Sequence, residues 1–61
     1  MTFIDLYNQS TVTYISDLSR YWGGAARDGW EASSPGGEIR AFDTLSAANA
    51  WRVAQCLEVS A

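Results

Sequence analysis

Carboxylates are the first side chains to consider for chemistry in this chain, which has seven acidic residues among 61 and no histidine. Two of them, Glu31 and Glu38, flank a predicted turn, where they could form an acid–base pair. A solvated strand face is the more economical interpretation, since seven acids in so short a chain place some near others by chance. Catalysis also needs a cleft, and this chain has little room for one. We therefore predict that the protein is not an enzyme.

Cys56 is the only cysteine, and there is no imidazole to activate it as a nucleophile. One cysteine without histidine cannot build the usual kind of zinc site either. The glycine pairs Gly23-Gly24 and Gly36-Gly37 match neither the Walker A motif nor the dinucleotide fingerprint. We predict a structural thiol, no metal site and no cofactor.

The charge balance favours a protein partner. The formal net charge is −3, whereas proteins that bind DNA or RNA normally carry a basic patch, since phosphate neutralisation supplies much of their affinity. Direct nucleic-acid binding is therefore not expected. The sequence has neither the features of a secretory signal nor the ~20 apolar residues of a membrane span. We predict a cytoplasmic protein with no membrane partner, whose acidic surface would suit a basic surface on another protein.

The segment Arg20–Trp30 concentrates Trp, Tyr and Arg, the residues most enriched at interface hot spots. One interpretation is that its three large aromatics simply fill a small core. The other is that Trp30 lies in the core while Tyr21 or Trp22 stays partly exposed, within a rim of charged residues. A second candidate surface is the outer face of the following hairpin, with acids around Arg40. The predicted partner-binding residues are Arg20, Tyr21, Trp22, Arg27, Asp28, Glu31 and Glu38.

A β-hairpin and a helix must position these residues. Strands Trp30–Ser33 and Glu38–Phe42 are predicted around a four-residue loop, Ser34–Gly37. Pairing Ser33 with Glu38 sets Glu31 against Arg40 as a cross-strand ion pair. This register also places four apolar residues together on the other face, namely Trp30, Ala32, Ile39 and Ala41.

The predicted helix runs from Ser46 to Leu57, with Thr44 or Ser46 as its cap. Its apolar stripe faces the sheet, and three polar residues lie on the opposite side. The residues of the stripe are Ala47, Ala50, Trp51, Ala54 and Leu57; the polar residues are Asn49, Arg52 and Gln55.

The first third of the chain has β-prone segments at Thr2–Tyr7 and Thr11–Ile15. We predict that a short helix over Asp17–Trp22 follows, with Ser16 as its cap and Gly23-Gly24 ending it. The alternative is one continuous amphipathic helix over Thr11–Trp22. The predicted loop Ala25–Gly29 leads to the hairpin. Together these elements predict a single α+β domain over residues 1–61. It has a small antiparallel sheet of three to four strands, one C-terminal helix packed on one face, and room for a short second helix.

In its size, acidity, lack of catalytic groups and aromatic–arginine segment, the chain resembles small acidic phage-encoded inhibitors of the anti-CRISPR type. The resemblance covers the overall character of the whole chain and no diagnostic motif, so no family residues are assigned. It implies a non-catalytic protein that binds a host CRISPR complex or a related host protein in the host cytoplasm. Such binding would block recruitment of nucleic acid. Two other classes are a structural or regulatory subunit that forms a homo-oligomer, such as a homodimer, and a nucleic-acid-binding module.

Overall fold

The chain forms a three-stranded antiparallel sheet with helices around it, as described by a computed structural model for residues 2–24 and 27–60. In chain order the elements are α1 (Phe3–Gln9), β1 (Thr11–Ile15), α2 (Ser19–Trp22), β2 (Gly29–Ser33), β3 (Ile39–Phe42) and α3 (Leu45–Ser60). The strand order in the sheet is β1-β2-β3. Helix α3 packs against the sheet, and α1 packs against α3. The predicted α+β class, with its antiparallel sheet and C-terminal helix, is confirmed.

Helix α1 replaces the strand predicted over Thr2–Tyr7, so that prediction is wrong. Its start is a capping box, in which the Thr2 hydroxyl accepts from the Asp5 amide at 3.2 Å and the Asp5 carboxylate accepts from the Thr2 amide at 3.3 Å. Ser10 ends the helix, where its amide donates to the carbonyls of Leu6 and Tyr7. The local caps outweigh the β propensity of the segment.

Strand β1 has its predicted bounds, so the single helix over Thr11–Trp22 is wrong.

Helix α2 begins later than predicted, after Leu18 rather than Ser16. The Asp17 carboxylate accepts from the Ser19 amide at 2.9 Å, and this contact lowers the pKa of Asp17. The helix ends at the predicted Gly23, but with φ 72° and ψ −175° this glycine has an extended positive-φ conformation and not the left-handed helical one expected at a glycine stop. The first two residues of the predicted loop 25–29 lie outside the described residues.

The hairpin loop is one residue longer than predicted, and this changes the register. The Gly37 amide donates to the Ser34 carbonyl at 3.0 Å, and the Ser34 amide donates to the Glu38 carbonyl at 2.8 Å. Gly37 has φ 94°, the conformation of a glycine bulge after a tight turn. Glu38 therefore belongs to the loop, and Ser33 pairs with Ile39.

The shift of one residue moves every β3 side chain to the other face of the sheet. Glu31 lies opposite Ala41, and Ala32 opposite Arg40. The predicted ion pair between Glu31 and Arg40 is therefore wrong, because their side chains lie on opposite faces. Arg40 instead lies on the face covered by α3, with its guanidinium 5.7 Å from the Trp51 ring centre.

Helix α3 is capped by Thr44, one of the two predicted caps, whose hydroxyl accepts from the Ala47 amide at 3.1 Å. Its buried face differs from the prediction. Ala48 and Cys56 are completely buried, whereas Leu57, predicted to face inward, is 55% exposed. The helix is thus rotated about its axis, and this brings Arg52 from the predicted outer side towards α1.

Arg52 fastens α3 to the end of α1. Its Nε donates to the Ser10 hydroxyl at 2.5 Å, and its Nη2 donates to the carbonyls of Tyr7 and Ser10 at 2.8 and 3.1 Å. The guanidinium also stacks on the Tyr7 ring, 3.7 Å from its centre. The Cys56 thiol lies 3.9 Å from the Ser10 hydroxyl. We call Tyr7, Ser10, Arg52 and Cys56 the Arg52 clamp; it adds a charged donor to carbonyls at the C-terminal end of α1.

Candidate protein-binding surface

Helix α2 is held on the sheet by Leu18, the residue before it. Leu18 is completely buried, and its amide donates to the Arg27 carbonyl at 2.8 Å. Its side chain covers Gly29, where an added Cβ would overlap Leu18 Cδ1 and the Phe42 carbonyl oxygen. The absence of a side chain at position 29 therefore allows α2 to approach β2 closely.

Arg20, Tyr21 and Glu31 form one polar group at this junction. Arg20 Nη2 donates to Glu31 Oε2 at 2.6 Å and to the Tyr21 hydroxyl at 3.3 Å. The Tyr21 hydroxyl in turn donates to the same Glu31 oxygen. The Arg20 guanidinium also lies 5.0 Å from the Tyr21 ring centre. Two donors on one carboxylate hold the Tyr21 ring in place at the surface.

The same contacts change the acidity of the group. The hydrogen bond from Tyr21, followed by that from Arg20, lowers the pKa of Glu31 against the opposing effect of partial burial. The hydrogen bond to Glu31 raises the pKa of Tyr21, because ionised tyrosine could no longer donate to the carboxylate. At neutral pH the group therefore consists of a carboxylate, a neutral phenol and a guanidinium.

Arg27 orders the neighbouring tryptophan. Its guanidinium lies 4.1 Å from the Trp22 ring centre, while Nη2 contacts Asp43 Oδ1 at 3.0 Å. This cation–π contact fixes the indole beside a positive charge without burying it. We call Arg20, Tyr21, Trp22 and Arg27 the α2 patch.

Both aromatic rings of the α2 patch are accessible. Tyr21 is 37% exposed and Trp22 is 44% exposed, whereas Trp30 is half-buried in the sheet. Tyr21 and Trp22 are therefore surface residues and not the large residues of the core. The interior is instead lined by smaller residues, the completely buried apolar ones including Leu18, Ala32, Ala48 and Cys56.

Two other predicted partner-binding residues, Asp28 and Glu38, make their contacts outside the α2 patch. The Asp28 carboxylate accepts from the Tyr14 hydroxyl at 3.0 Å and raises the pKa of Tyr14. Tyr14 also packs edge-to-face on Trp30, with 5.5 Å between ring centres, and sequence reasoning did not single it out. Glu38 pairs with Arg40 at 2.9 Å beside the hairpin turn, away from the α2 patch.

The predicted acidic outer face of the hairpin does not form. Each of its acids contacts a different arginine, with Glu31 on Arg20, Glu38 on Arg40 and Asp43 on Arg27. Arg40, predicted at the centre of that face, lies on the side of α3 because of the register shift. The acids therefore form separate ion pairs, two of which support the α2 patch.

Within the ranges 2–24 and 27–60, no cluster of three or more His, Cys, Asp or Glu side chains is placed to hold a metal ion. That part of the chain also has no detectable pocket. Its helices are all too short or too polar to cross a membrane. What the described surface offers is an exposed patch of aromatic rings and guanidinium groups, an arrangement suited to contact with another molecule.

Comparison with protein-family models, curated proteins and solved structures finds no match to this chain. Functional inference therefore rests on the geometry of the α2 patch.

Proposed function

We propose that the protein is a non-catalytic binding protein that contacts another protein through the α2 patch. The observation that carries this proposal is the exposure of Tyr21 and Trp22 while each ring is stacked by an arginine. Tyrosine, tryptophan and arginine dominate the energetics of protein interfaces. Rings that are already ordered lose less conformational entropy on binding, which favours affinity.

The partner's chemistry follows from the charge of the chain. Each guanidinium of the α2 patch already contacts a carboxylate, Arg20 on Glu31 and Arg27 on Asp43, so the patch adds little net positive charge. The chain as a whole carries −3. A partner with a basic surface around an apolar contact area would be attracted over distance and then bind the two rings.

We extend the proposal to inhibition. A small acidic protein bound to the basic surface of a host complex would compete there with nucleic acid, since both are attracted by the same charges. This mode of action is the one implied by the resemblance to anti-CRISPR-type inhibitors. It is supported by the acidity and by the aromatic patch, and it places the protein in the host cytoplasm.

The test is affinity capture from a host lysate with the full chain and three single variants. Trp22→Ala and Tyr21→Ala remove the exposed rings, and Ile4→Ala is the matched control, since Ile4 is 69% exposed on α1. We expect the two patch variants to lose the captured partner while their thermal melting stays close to that of the native chain. Capture unchanged in both patch variants, or lost equally in Ile4→Ala, would overturn the assignment of the site.

Inhibition is tested separately on the captured complex. Added native protein should reduce the binding of nucleic acid to that complex, and Trp22→Ala should not. If the complex binds nucleic acid equally well with and without the protein, the inhibitor proposal fails while the binding proposal stands. Salt-sensitive binding of DNA or RNA by the isolated protein would instead favour a nucleic-acid-binding module.

A further inference from the structure

The two edges of the sheet are built differently. The β3 edge has four residues, including the charged Arg40, and follows the bulge at Gly37. The β1 edge, Thr11–Ile15, has five residues with no charge, proline, glycine or bulge. Charges and bulges are the usual devices that keep an edge strand from pairing with another chain. They are present on β3 and missing from β1.

The backbone groups on the free side of β1 can be identified. The Thr11 amide donates to the Ser33 hydroxyl at 3.0 Å, so it points towards β2. The Ser34 amide donates to the Glu38 carbonyl across the hairpin. Because successive amides along a strand point to opposite sides, the Ser33 amide points the other way, towards β1. Both observations assign the amides of Val12 and Tyr14 to the free edge. Within the described ranges, no hydrogen bond from a turn, loop or side chain reaches these groups.

We propose that β1 pairs antiparallel with β1 of a second copy of this chain, around a two-fold axis at Thr13. The outward amides and carbonyls of Val12 and Tyr14 then bond reciprocally with those of Tyr14 and Val12 in the second copy. The two sheets become one continuous sheet across the dimer. This proposal is independent of the α2 patch and of the function proposed for it.

A second copy is the occupant that this edge fits, because the strand is self-complementary. In the proposed register Val12 lies opposite Tyr14 on the α3 side of the sheet, a β-branched residue against an aromatic one. On the other side Thr11 lies opposite Ile15, and Thr13 lies opposite its own copy. No charged side chain occurs in the strand, so two chains that each carry −3 meet there without like charges face to face.

Disulfide trapping tests the register directly. Thr13 bonds to β2, so it would form a non-hydrogen-bonded pair with its own copy, with Cα atoms about 4.5 Å apart, within the range that a disulfide spans. Thr13→Cys should therefore cross-link the dimer with oxidised glutathione. Two thiols form one S–S bond and release two protons, and their two electrons reduce the oxidised glutathione to two glutathione molecules. Thr11→Cys is the control, because its two copies would lie on the order of 13 Å apart. Cys56 is buried and present in both variants.

Sedimentation of the native full chain over a range of concentrations tests the association itself. We expect a dimer that dissociates on dilution. Thr13→Lys places two positive charges at the axis and should leave only monomer, while Ile39→Lys, on the 52%-exposed Ile39 of β3, should still form the dimer. A native chain that is monomeric at every concentration would overturn the proposal. So would equal cross-linking of both cysteine variants, or a dimer lost in Ile39→Lys but kept in Thr13→Lys.

Discussion

Two arginine–tyrosine pairs in this small protein have different roles. In the Arg52 clamp, the guanidinium stacks on Tyr7 at 3.7 Å and donates to main-chain carbonyls and a buried serine. In the α2 patch, Arg20 stacks on Tyr21 at 5.0 Å and donates to the carboxylate of Glu31. The first pair joins two helices, and the second leaves its ring accessible. The aromatic contact is closer in the clamp, and the two guanidinium groups also differ in their acceptors, which are main-chain carbonyls in the clamp and a carboxylate in the patch.

The acceptors also decide how much each arginine contributes to the free energy of unfolding. Main-chain carbonyls at a helix end cannot move to water when a donor is removed. The loss of Arg52 would take a charged donor from the carbonyls of Tyr7 and Ser10, although Tyr7 would keep the Ser10 amide and hydroxyl as donors. The carboxylate partners of the α2 patch keep other donors when the arginine is removed. The Asp43 side chain is 66% exposed to solvent, and Glu31, which is 22% exposed, still accepts from the Tyr21 hydroxyl. Exposed ion pairs contribute about 0–1 kcal/mol. The comparison therefore predicts that Arg52 is needed for the stability of the fold, whereas Arg20 can be removed with little loss of stability.

The largest expected effect is that of Arg52→Ala. It should lower the free energy of unfolding by about 3 kcal/mol, since it removes charge-assisted hydrogen bonds and the packing on Tyr7. Arg20→Ala, the matched change in the patch, should cost less than about 1 kcal/mol. Urea unfolding followed by circular dichroism measures both. Equal losses in the two variants would remove the distinction between the clamp and the patch.

A smaller loss of stability is expected for Gly29→Ala, which tests whether the close packing of Leu18 and α2 on β2 stabilises the fold. The new Cβ overlaps Leu18 and the Phe42 carbonyl, so the backbone must move, at a cost of about 2 kcal/mol. Gly36→Ala is the control, because its Cβ would meet only the Ser34 hydroxyl at an ordinary 3.8 Å. Thermal melting should separate the two variants. If Gly29→Ala melts like the native chain, the close approach of Leu18 to β2 is not required for folding.

The smallest effect concerns the acidity of Glu31. Its pKa is lower in the folded chain than its ordinary value of 4.5, so its ion pair stabilises the fold above that pH. This contribution is lost as pH falls through the lower folded pKa. Glu31→Gln should therefore flatten the acid side of the stability–pH profile by less than about 1 kcal/mol. Tyr21→Phe, which removes the first donor to Glu31, should flatten it in part. An unchanged profile in Glu31→Gln would show that the group does not contribute.

The fold class was predictable because β1, the hairpin strands and α3 each have a local signal of their own. The Thr2-x-x-Asp5 spacing of the α1 capping box was also present in the sequence, but β-prone side chains between its members obscured it. The hairpin register depended on a single glycine, since a bulge at Gly37 shifts the pairing by one residue. A count of loop residues alone does not distinguish the two registers.

The site was predictable in part. Residue type and neighbouring glycines pointed to the segment Arg20–Trp30, and the structure brings Arg20, Tyr21 and Glu31 together. The contact of Asp28 with Tyr14 was not predicted, because Tyr14 lies on β1 and such a contact depends on tertiary pairing. The role of Arg52 was missed for a related reason. A charged residue between apolar ones suggests a solvent face, and only the position of α1 reveals its acceptors.

Because Cys56 is buried inside the Arg52 clamp, the reactivity of its thiol reports how often α1 and α3 separate. Its thiol is completely enclosed, so an alkylating reagent can reach it only when α1 and α3 separate. If closing is faster than alkylation, the labelling rate gives the population of the opened form. Local opening at the junction of the two helices can thus be measured on the native chain, without introducing a probe.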